Sequence, residues 1–136
     1  MTIKNFSPYK IVKEAVDQLK EKERMVICGR FGIGENHKTL SAIGNTLKLS
    51  RERIRQIEKD ALRKLAILII EKDNDYVARI LEAFEAEGGI SSHEKIAEKF
   101  LEEGLRASKD EFNALNLIFY LVPDLRKIEI TKELEA

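Results

Sequence analysis

The chain has 136 residues, which is enough for one ordinary domain or two small ones, and 43% of them are hydrophobic, as in a folded protein. The charged fraction of 35% is high and indicates much solvated helix surface. A lone cysteine, Cys28, excludes an internal disulfide and a cysteine-based zinc site. No apolar run approaches the roughly 20 residues of a membrane span, and residues 1–10 lack the apolar core of a signal peptide. These features predict a cytoplasmic protein with no membrane partner.

The net charge of zero conceals an uneven distribution along the chain. Residues 37–70 carry eight basic and three acidic side chains, whereas residues 71–136 carry nine basic and sixteen acidic ones. A basic middle beside an acidic second half predicts two modules with different partners. The basic module is suited to a polyanion.

Three helices are predicted in the first half of the chain. Ser7 followed by Pro8 is a good helix start, and an apolar stripe at helical spacing follows it. A second helix is predicted around residues 21–31, with a break at Gly32. A short polar loop then leads to Thr39, which is an acceptable N-cap for the third helix.

The segment LSRERIRQIEKDALRKL, residues 49–65, predicts a fourth helix with one apolar and one charged face. Ser50 caps it, and a three-residue connection joins it to the third helix, where Ala42 and Gly44 are small enough for a close helix crossing. This plan is a helix-turn-helix, whose second helix places its N-terminal residues on base edges in the major groove. The charged face contains Arg51, Glu52, Arg55, Gln56 and Lys59.

The chemistry of this charged face leaves two interpretations open. Arg, Glu and Gln are the side chains whose geometry matches guanine, cytosine and adenine respectively, which favours a face that reads DNA. Charged helix faces are, however, usually only solvated. Charge and spacing alone favour neither interpretation over the other.

Several motifs resemble region 4 of the primary bacterial sigma factors, over about a third of the chain. The two most specific are SRERIRQIE at residues 50–58 and ALRKL at residues 61–65. Shorter matches are RFG at residues 30–32, TL at 39–40 and IG at 43–44. The resemblance, which covers residues 23–65, implies a DNA-binding protein that acts on double-stranded promoter DNA with RNA polymerase.

The resemblance also implies a role for individual residues. Arg51, Glu52 and Gln56 take the positions that read bases of the −35 promoter element. Thr39, Arg53 and Arg55 take positions that hold phosphates, and Lys38 and Lys59 are two further phosphate contacts that we expect. The unit is further expected to dock on the flap of the RNA polymerase β subunit and to be associated with the bacterial nucleoid.

The chain departs from the family in two ways. Ser41-Ala42 replaces the usual acidic pair, and Cys28-Gly29 occupies positions where longer side chains are usual. In addition, no segment resembles the sigma region that melts and binds the −10 element. The chain alone is therefore not expected to initiate transcription as a full sigma factor, and it is either a fragment or a stand-alone regulator.

Beyond residue 65 the resemblance ends. Residues 66–70, AILII, are apolar on all sides, which predicts a buried helix end. Residues 73–75, DND, predict a boundary between a first domain of residues 1–72 and a second domain of residues 76–136.

The second domain is predicted to be a small winged-helix-like module. An amphipathic helix over residues 76–87 precedes two helices with capping-box spacing, one after Ser91 and one after Ser108. A strand is predicted over residues 126–131, with little room for a second strand after it. This order weakly resembles the winged-helix domain of the RNA polymerase delta subunit, with a truncated or degenerate wing. The predicted fold is therefore mostly α, a sigma region 4-type helix-turn-helix followed by a winged-helix-like α(+β) module.

Other chemistries find little support in the sequence. His37 and His93 stand alone, with Cys28 elsewhere, so their spacing forms no metal site and no nucleophilic triad. A loop histidine without a role is favoured over a phosphate contact for His37. We expect no catalytic residue, no cofactor and no small-molecule substrate, and hence no enzyme.

Two functional hypotheses of different class follow. The first is a sequence-specific DNA-binding transcription regulator that reads a −35-like element and acts with RNA polymerase. The second is an interaction factor that docks on the RNA polymerase flap and has little DNA specificity of its own.

Overall fold

The computed structural model describes residues 7–86, 101, 103–106 and 108–123. Its helices are α1 (Pro8–Val16), α2 (Glu21–Phe31), α3 (Leu40–Leu47), α4 (Arg51–Ala86), α5 (Glu103–Arg106) and α6 (Lys109–Tyr120). All regular secondary structure in the described residues is helical, which confirms the mostly α fold. The helix predicted after Ser91 lies almost wholly, and the strand predicted at residues 126–131 entirely, outside the described residues, so the winged-helix-like module stays a prediction.

Side-chain caps begin four helices where the sequence predicted them. The hydroxyl groups of Ser7, Thr39, Ser50 and Ser108 each accept a hydrogen bond from the amide three residues further on, at 3.0 to 3.3 Å. Each bond satisfies an amide that has no partner inside the first helical turn. Local sequence therefore accounts for the starts of α1, α3, α4 and α6.

The buried apolar side chains form two clusters. The smaller cluster packs α3 against α2 and the beginning of α4, through Val26, Ile43 and Ile54. The larger cluster joins α1, α2, the middle of α4 and α6. Helix α4 belongs to both clusters, since Ile54 faces the first and Leu65 faces the second.

Helix α4 continues through the predicted boundary at residues 73–75. It has 36 residues, which corresponds to about 54 Å at 1.5 Å per residue. The range Arg51–Ala86 contains neither glycine nor proline, so no residue in it forces a break. Beyond residue 64 its buried side includes Leu65, Ala66, Ile69, Ile70, Ile80 and Leu81. Ala66, Ile69 and Ile70 are buried, as predicted for this helix segment, but Ile67 is 46% exposed, so the segment is not buried around its whole circumference.

Helix α6, from the predicted second domain, packs against α1 and α2. Leu115 and Leu117 are buried in the larger cluster, and the rings of Phe31 and Tyr120 meet edge to face at 5.3 Å between centroids. The division into residues 1–72 and 76–136 stays a prediction.

A buried carboxylate joins α6 to the N-terminus of α1. Glu111 is 7% exposed and accepts one hydrogen bond from the Ser7 hydroxyl and another, at 3.0 Å, from the Tyr9 amide. Negative charge is favourable at a helix N-terminus, where the first amides lack partners inside the helix. Glu111 therefore supplies an acceptor for a helix-start amide that would otherwise have no partner, and it holds α6 beside α1.

Replacing Glu111 with alanine is expected to lower the free energy of unfolding by about 2–3 kcal/mol, because the Ser7 hydroxyl and the Tyr9 amide lose a charged, buried acceptor. Urea denaturation followed by circular dichroism measures the change. Asp110→Ala is the matched control, since Asp110 is exposed in the same helical turn and should cost less than about 1 kcal/mol. Equal losses in the two variants would contradict this role for Glu111.

Candidate DNA-binding site

A tight turn sets α4 against α3. Lys48 has the left-handed backbone conformation, with φ 59°, and the Leu49 amide donates to the Gly44 carbonyl at 2.9 Å. A Cβ on residue 44 would lie 2.7 Å from the Leu49 carbonyl oxygen, so a larger residue would push the turn away from α3. The predicted close approach is confirmed at Gly44. It is wrong at Ala42, which is exposed because the contact with α4 runs along the other side of α3.

Burial of one side of α4 leaves the opposite side to solvent. Ile54 is fully buried and Ile57 is nearly so. The neighbouring side chains of Glu52, Gln56 and Lys59 are exposed. Because the smaller cluster holds α4 in one rotation about its axis, the exposed face cannot turn toward the core.

Four of the six predicted DNA-contacting residues of α4 fall on this exposed face. At 3.6 residues per turn, Glu52, Arg55, Gln56 and Lys59 lie within about 100° around the helix axis. Each of the four side chains is exposed. We call these four residues the central face of α4.

Arg51 and Arg53 flank the central face on opposite sides, and both are exposed. Arg63 is also exposed and continues the central face one turn beyond Lys59. The sequence reasoning did not select Arg63, although the helical period that selected Lys59 identifies it too.

Glu52 and Arg55 form an ion pair on the central face. The Arg55 Nη2 atom donates to Oε1 of Glu52 at 2.6 Å and Nε donates to Oε2 at 3.0 Å. The hydrogen bond from Arg55 lowers the pKa of Glu52, so this carboxyl group is a charged acceptor at neutral pH. Arg53 and Gln56 are also linked, since Nη1 of Arg53 donates to Oε1 of Gln56 at 3.4 Å.

Two further ion pairs tie α4 to α2 behind the exposed face. Arg30 donates to Glu58 at 3.2 Å, and Lys64 donates to Glu23 at 2.6 Å. Burial raises the pKa of Glu23, but hydrogen bonds from the Lys64 ammonium and the Lys20 amide outweigh burial and leave this pKa below its usual range. The Glu23 carboxyl group therefore carries charge at neutral pH, and the two ion pairs together hold the first half of α4 against α2.

The loop between α2 and α3 presents the remaining two predicted phosphate contacts. Lys38 and Thr39 are exposed directly before α3. The Lys38 amide donates to the Gly29 carbonyl at 2.7 Å, and its ammonium group lies 3.0 Å from the Glu35 carboxylate. Because the Thr39 hydroxyl accepts a hydrogen bond from the Ala42 amide, its own proton can still be donated to an anion.

Other chemical sites are not formed by the part of the chain that the structure describes. It contains no group of three or more His, Cys, Asp or Glu side chains that could hold a metal ion. Burial raises the pKa of the Cys28 thiol, which opposes formation of a reactive thiolate. None of the described helices combines the length and the apolar character that crossing a membrane requires.

Comparison with protein families places the site in a matched segment. Residues 15–66 match the family model described as sigma-70, region 4. This range contains α2, α3, the start of α4 and all eight predicted DNA-contacting residues. It confirms the resemblance of residues 23–65 to region 4 of sigma factors.

Several sigma factors are similar to the same part of the chain. The sigma factor RpoD of Helicobacter pylori is 46% identical over 56 residues, which are 40% of this chain and 8% of that protein. RpoS of Coxiella burnetii is 53% identical over 49 residues, 35% of this chain and 14% of that protein. SigA4 of Synechococcus elongatus is 54% identical over 52 residues, 37% of this chain and 16% of that protein. The match thus spans a small part of each relative, and no solved structure gives a significant match.

Proposed function

We propose that this protein is a sequence-specific transcription regulator that reads a −35-like promoter element in double-stranded DNA and acts with RNA polymerase. The observation that carries the proposal is the exposed, largely basic face at the start of α4. This face projects from a helix-turn-helix inside the segment that is similar to region 4 of sigma factors. In this proposal the protein works in the cytoplasm on the nucleoid, uses no cofactor and catalyses no reaction.

Base reading is proposed for Arg51, Glu52 and Gln56. These residues occupy about 8 Å along the helix axis, which fits within a major groove about 12 Å wide. Arginine can donate two hydrogen bonds to guanine, glutamate can accept one from cytosine, and glutamine can pair with adenine. All three side chains are exposed at the N-terminal end of α4, the end that enters the groove in helix-turn-helix proteins.

Phosphate binding is proposed for Lys38, Thr39, Arg53, Arg55 and Lys59. Lys38 and Thr39 lie before α3, and Arg53 lies on the flank of the central face of α4. Contacts from two helices would hold the duplex in one orientation, as backbone contacts do in other protein–DNA complexes. Arg55 can keep its bond to Glu52 while a free N–H group of its guanidinium donates to a phosphate.

A groove between α2 and α3 supports a second role, docking on RNA polymerase. Met25 is 37% exposed, and together with Ile43 and Leu47 it lines a shallow groove bordered by Glu35 and Lys38. Such a groove can accept the apolar side of a partner helix. We propose the flap of the β subunit as the occupant. Docking there without DNA specificity is the alternative function.

Glu52→Ala is expected to relax preference at a single base pair by about 1–3 kcal/mol, because a lone acidic side chain on the central face selects its base by accepting a hydrogen bond. General affinity should stay intact or rise, since Arg55 is released from its pair. Duplexes selected from random DNA and single-base variants of them provide the measurement. Glu71→Ala, an exposed acid further along α4, is the control. Equal weakening on all duplexes would show that Glu52 selects no base.

Arg53→Ala and Lys38→Ala should each weaken binding to every duplex alike. Each variant should also lower the slope of log affinity against log salt by about one unit, because each phosphate contact releases about one counterion. Arg79→Ala is the matched control, since Arg79 is also an exposed arginine on α4 and lies about 39 Å from Arg53 along the helix axis. An equal change in slope for Arg79→Ala would place the DNA along the whole of α4 and contradict the assignment.

Met25→Glu is expected to abolish capture of RNA polymerase, because a carboxylate would be buried in an apolar groove. Duplex binding should weaken no more than in Lys38→Ala, since Lys38 borders the same groove. Pull-down of the polymerase with and without promoter DNA measures the effect, and Met25→Leu should retain capture. Capture that persists in Met25→Glu would remove the groove from the docking surface. Capture of polymerase by a wild-type chain that shows no duplex preference would establish the alternative function.

A further inference from the structure

Helix α6 donates hydrogen bonds to the loop between α2 and α3, which carries two of the proposed phosphate contacts. The side chain of Asn113 is 6% exposed, and its Nδ2 atom donates to the Gly32 carbonyl at 3.0 Å. Gly32 ends α2 in the left-handed conformation, with φ 68°, so its carbonyl has no partner within the helix. The hydrogen bond joins residues 81 apart in sequence, one inside and one outside the segment that is similar to sigma region 4.

His37 lies between the bonded Gly32 and the proposed phosphate contacts in the chain, and its ring packs beside Gly32. A Cβ on residue 32 would lie 2.8 Å from Nδ2 of Asn113 and 2.8 Å from Cε1 of His37. The Asn113 side chain and the His37 ring therefore both pack against the Gly32 Cα, where a side chain would otherwise project. Because His37 directly precedes Lys38 and Thr39, a shift of Gly32 would move the backbone that presents both side chains.

A second bond from α6 reaches the same loop, and the other tethers come from α2. Lys109 Nζ donates to the Asn36 side-chain oxygen at 3.2 Å. The Lys38 amide donates to the Gly29 carbonyl at 2.7 Å, and the Ile33 amide donates to the Cys28 carbonyl at 3.0 Å. Of these tethers only the one from Asn113 is a buried side-chain bond, so a single side-chain substitution removes it and leaves the backbone bonds in place.

We propose that Asn113 is a positioning residue for DNA-backbone binding. By holding the Gly32 carbonyl, it places the loop so that Lys38 and Thr39 meet a phosphate, and α6 thereby contributes to DNA affinity without touching DNA. A neutral amide suits this position, because it supplies an N–H donor without bringing a charge into the buried site. The inference rests on the proposed function, since it concerns the same phosphate contacts.

The first test compares the full-length wild type with Lys38→Ala, Asn113→Ala and the double variant, all titrated with a labelled duplex of mixed sequence at several salt concentrations. Lys38→Ala should lower the salt slope by about one unit. Asn113→Ala should lower it by a similar amount, and the double variant should show no further decrease, because Lys38 is already displaced. Asn116→Ala, half-buried on the same helix, is the control and should leave the slope unchanged.

The second test needs no DNA and measures amide hydrogen exchange. Asn113→Ala should speed exchange of the Lys38 amide, which lies in the loop and donates to the Gly29 carbonyl of α2. The Leu49 amide, bonded to Gly44 in the turn of the helix-turn-helix, should keep its rate. A general loss of stability would instead speed both amides to the same extent.

Two results would overturn the proposal. One is a full effect of Lys38→Ala on the salt slope in the Asn113→Ala background, and the other is equal acceleration of the two amides. If Asn113→Ala does not fold, Asn113→Leu replaces it, since it has a similar shape, removes the donor and brings no charge into the buried site. Failure of both to fold would make Asn113 a folding residue and also overturn the proposal. If Lys38→Ala leaves the wild-type slope unchanged, the phosphate role of Lys38 fails, which is a separate failure of the proposed function.

Discussion

Helix α4 is buried along one side by two clusters, and this packing decides what its other side can do. The smaller cluster fixes the rotation of its first turns through Ile54 and Ile57. The larger cluster fixes its continuation through Leu65 and Ile69. The basic face lies on a helix that both clusters hold in place. It is therefore preorganised for a polyanion, because binding requires little further ordering of the backbone.

The polar contacts of the described chain concentrate where helices end. Glu111 accepts a hydrogen bond from the Tyr9 amide in the first turn of α1, and Asn113 donates one to the carbonyl of Gly32 at the end of α2. Buried backbone groups at helix ends need partners, and here they come from a helix about a hundred residues away from α1 in sequence. The same contacts that stabilise the fold therefore link α6 to the loop beside the candidate site.

Much of the candidate site could be predicted from the sequence because its rules are local. Caps such as Ser50 and Thr39 act within four residues, and the helical period alone gathers Glu52, Gln56 and Lys59 on one face. The predicted close helix contact at Ala42 is wrong, because it rests on residue size alone. Residue size indicates that two helices can approach closely, but not which small residue lies at the contact, and the structure gives that place to Gly44.

The sequence by itself determined the starts of α1, α3, α4 and α6, the helix-turn-helix and the residues of its exposed face, since each depends on neighbours within a turn or two of the helix. The tertiary structure alone decided that α4 runs on to Ala86 and that α6 lies against α1. It also decided that Asn113 meets Gly32. These features depend on contacts between residues far apart in the chain, whose partners periodicity and capping do not specify.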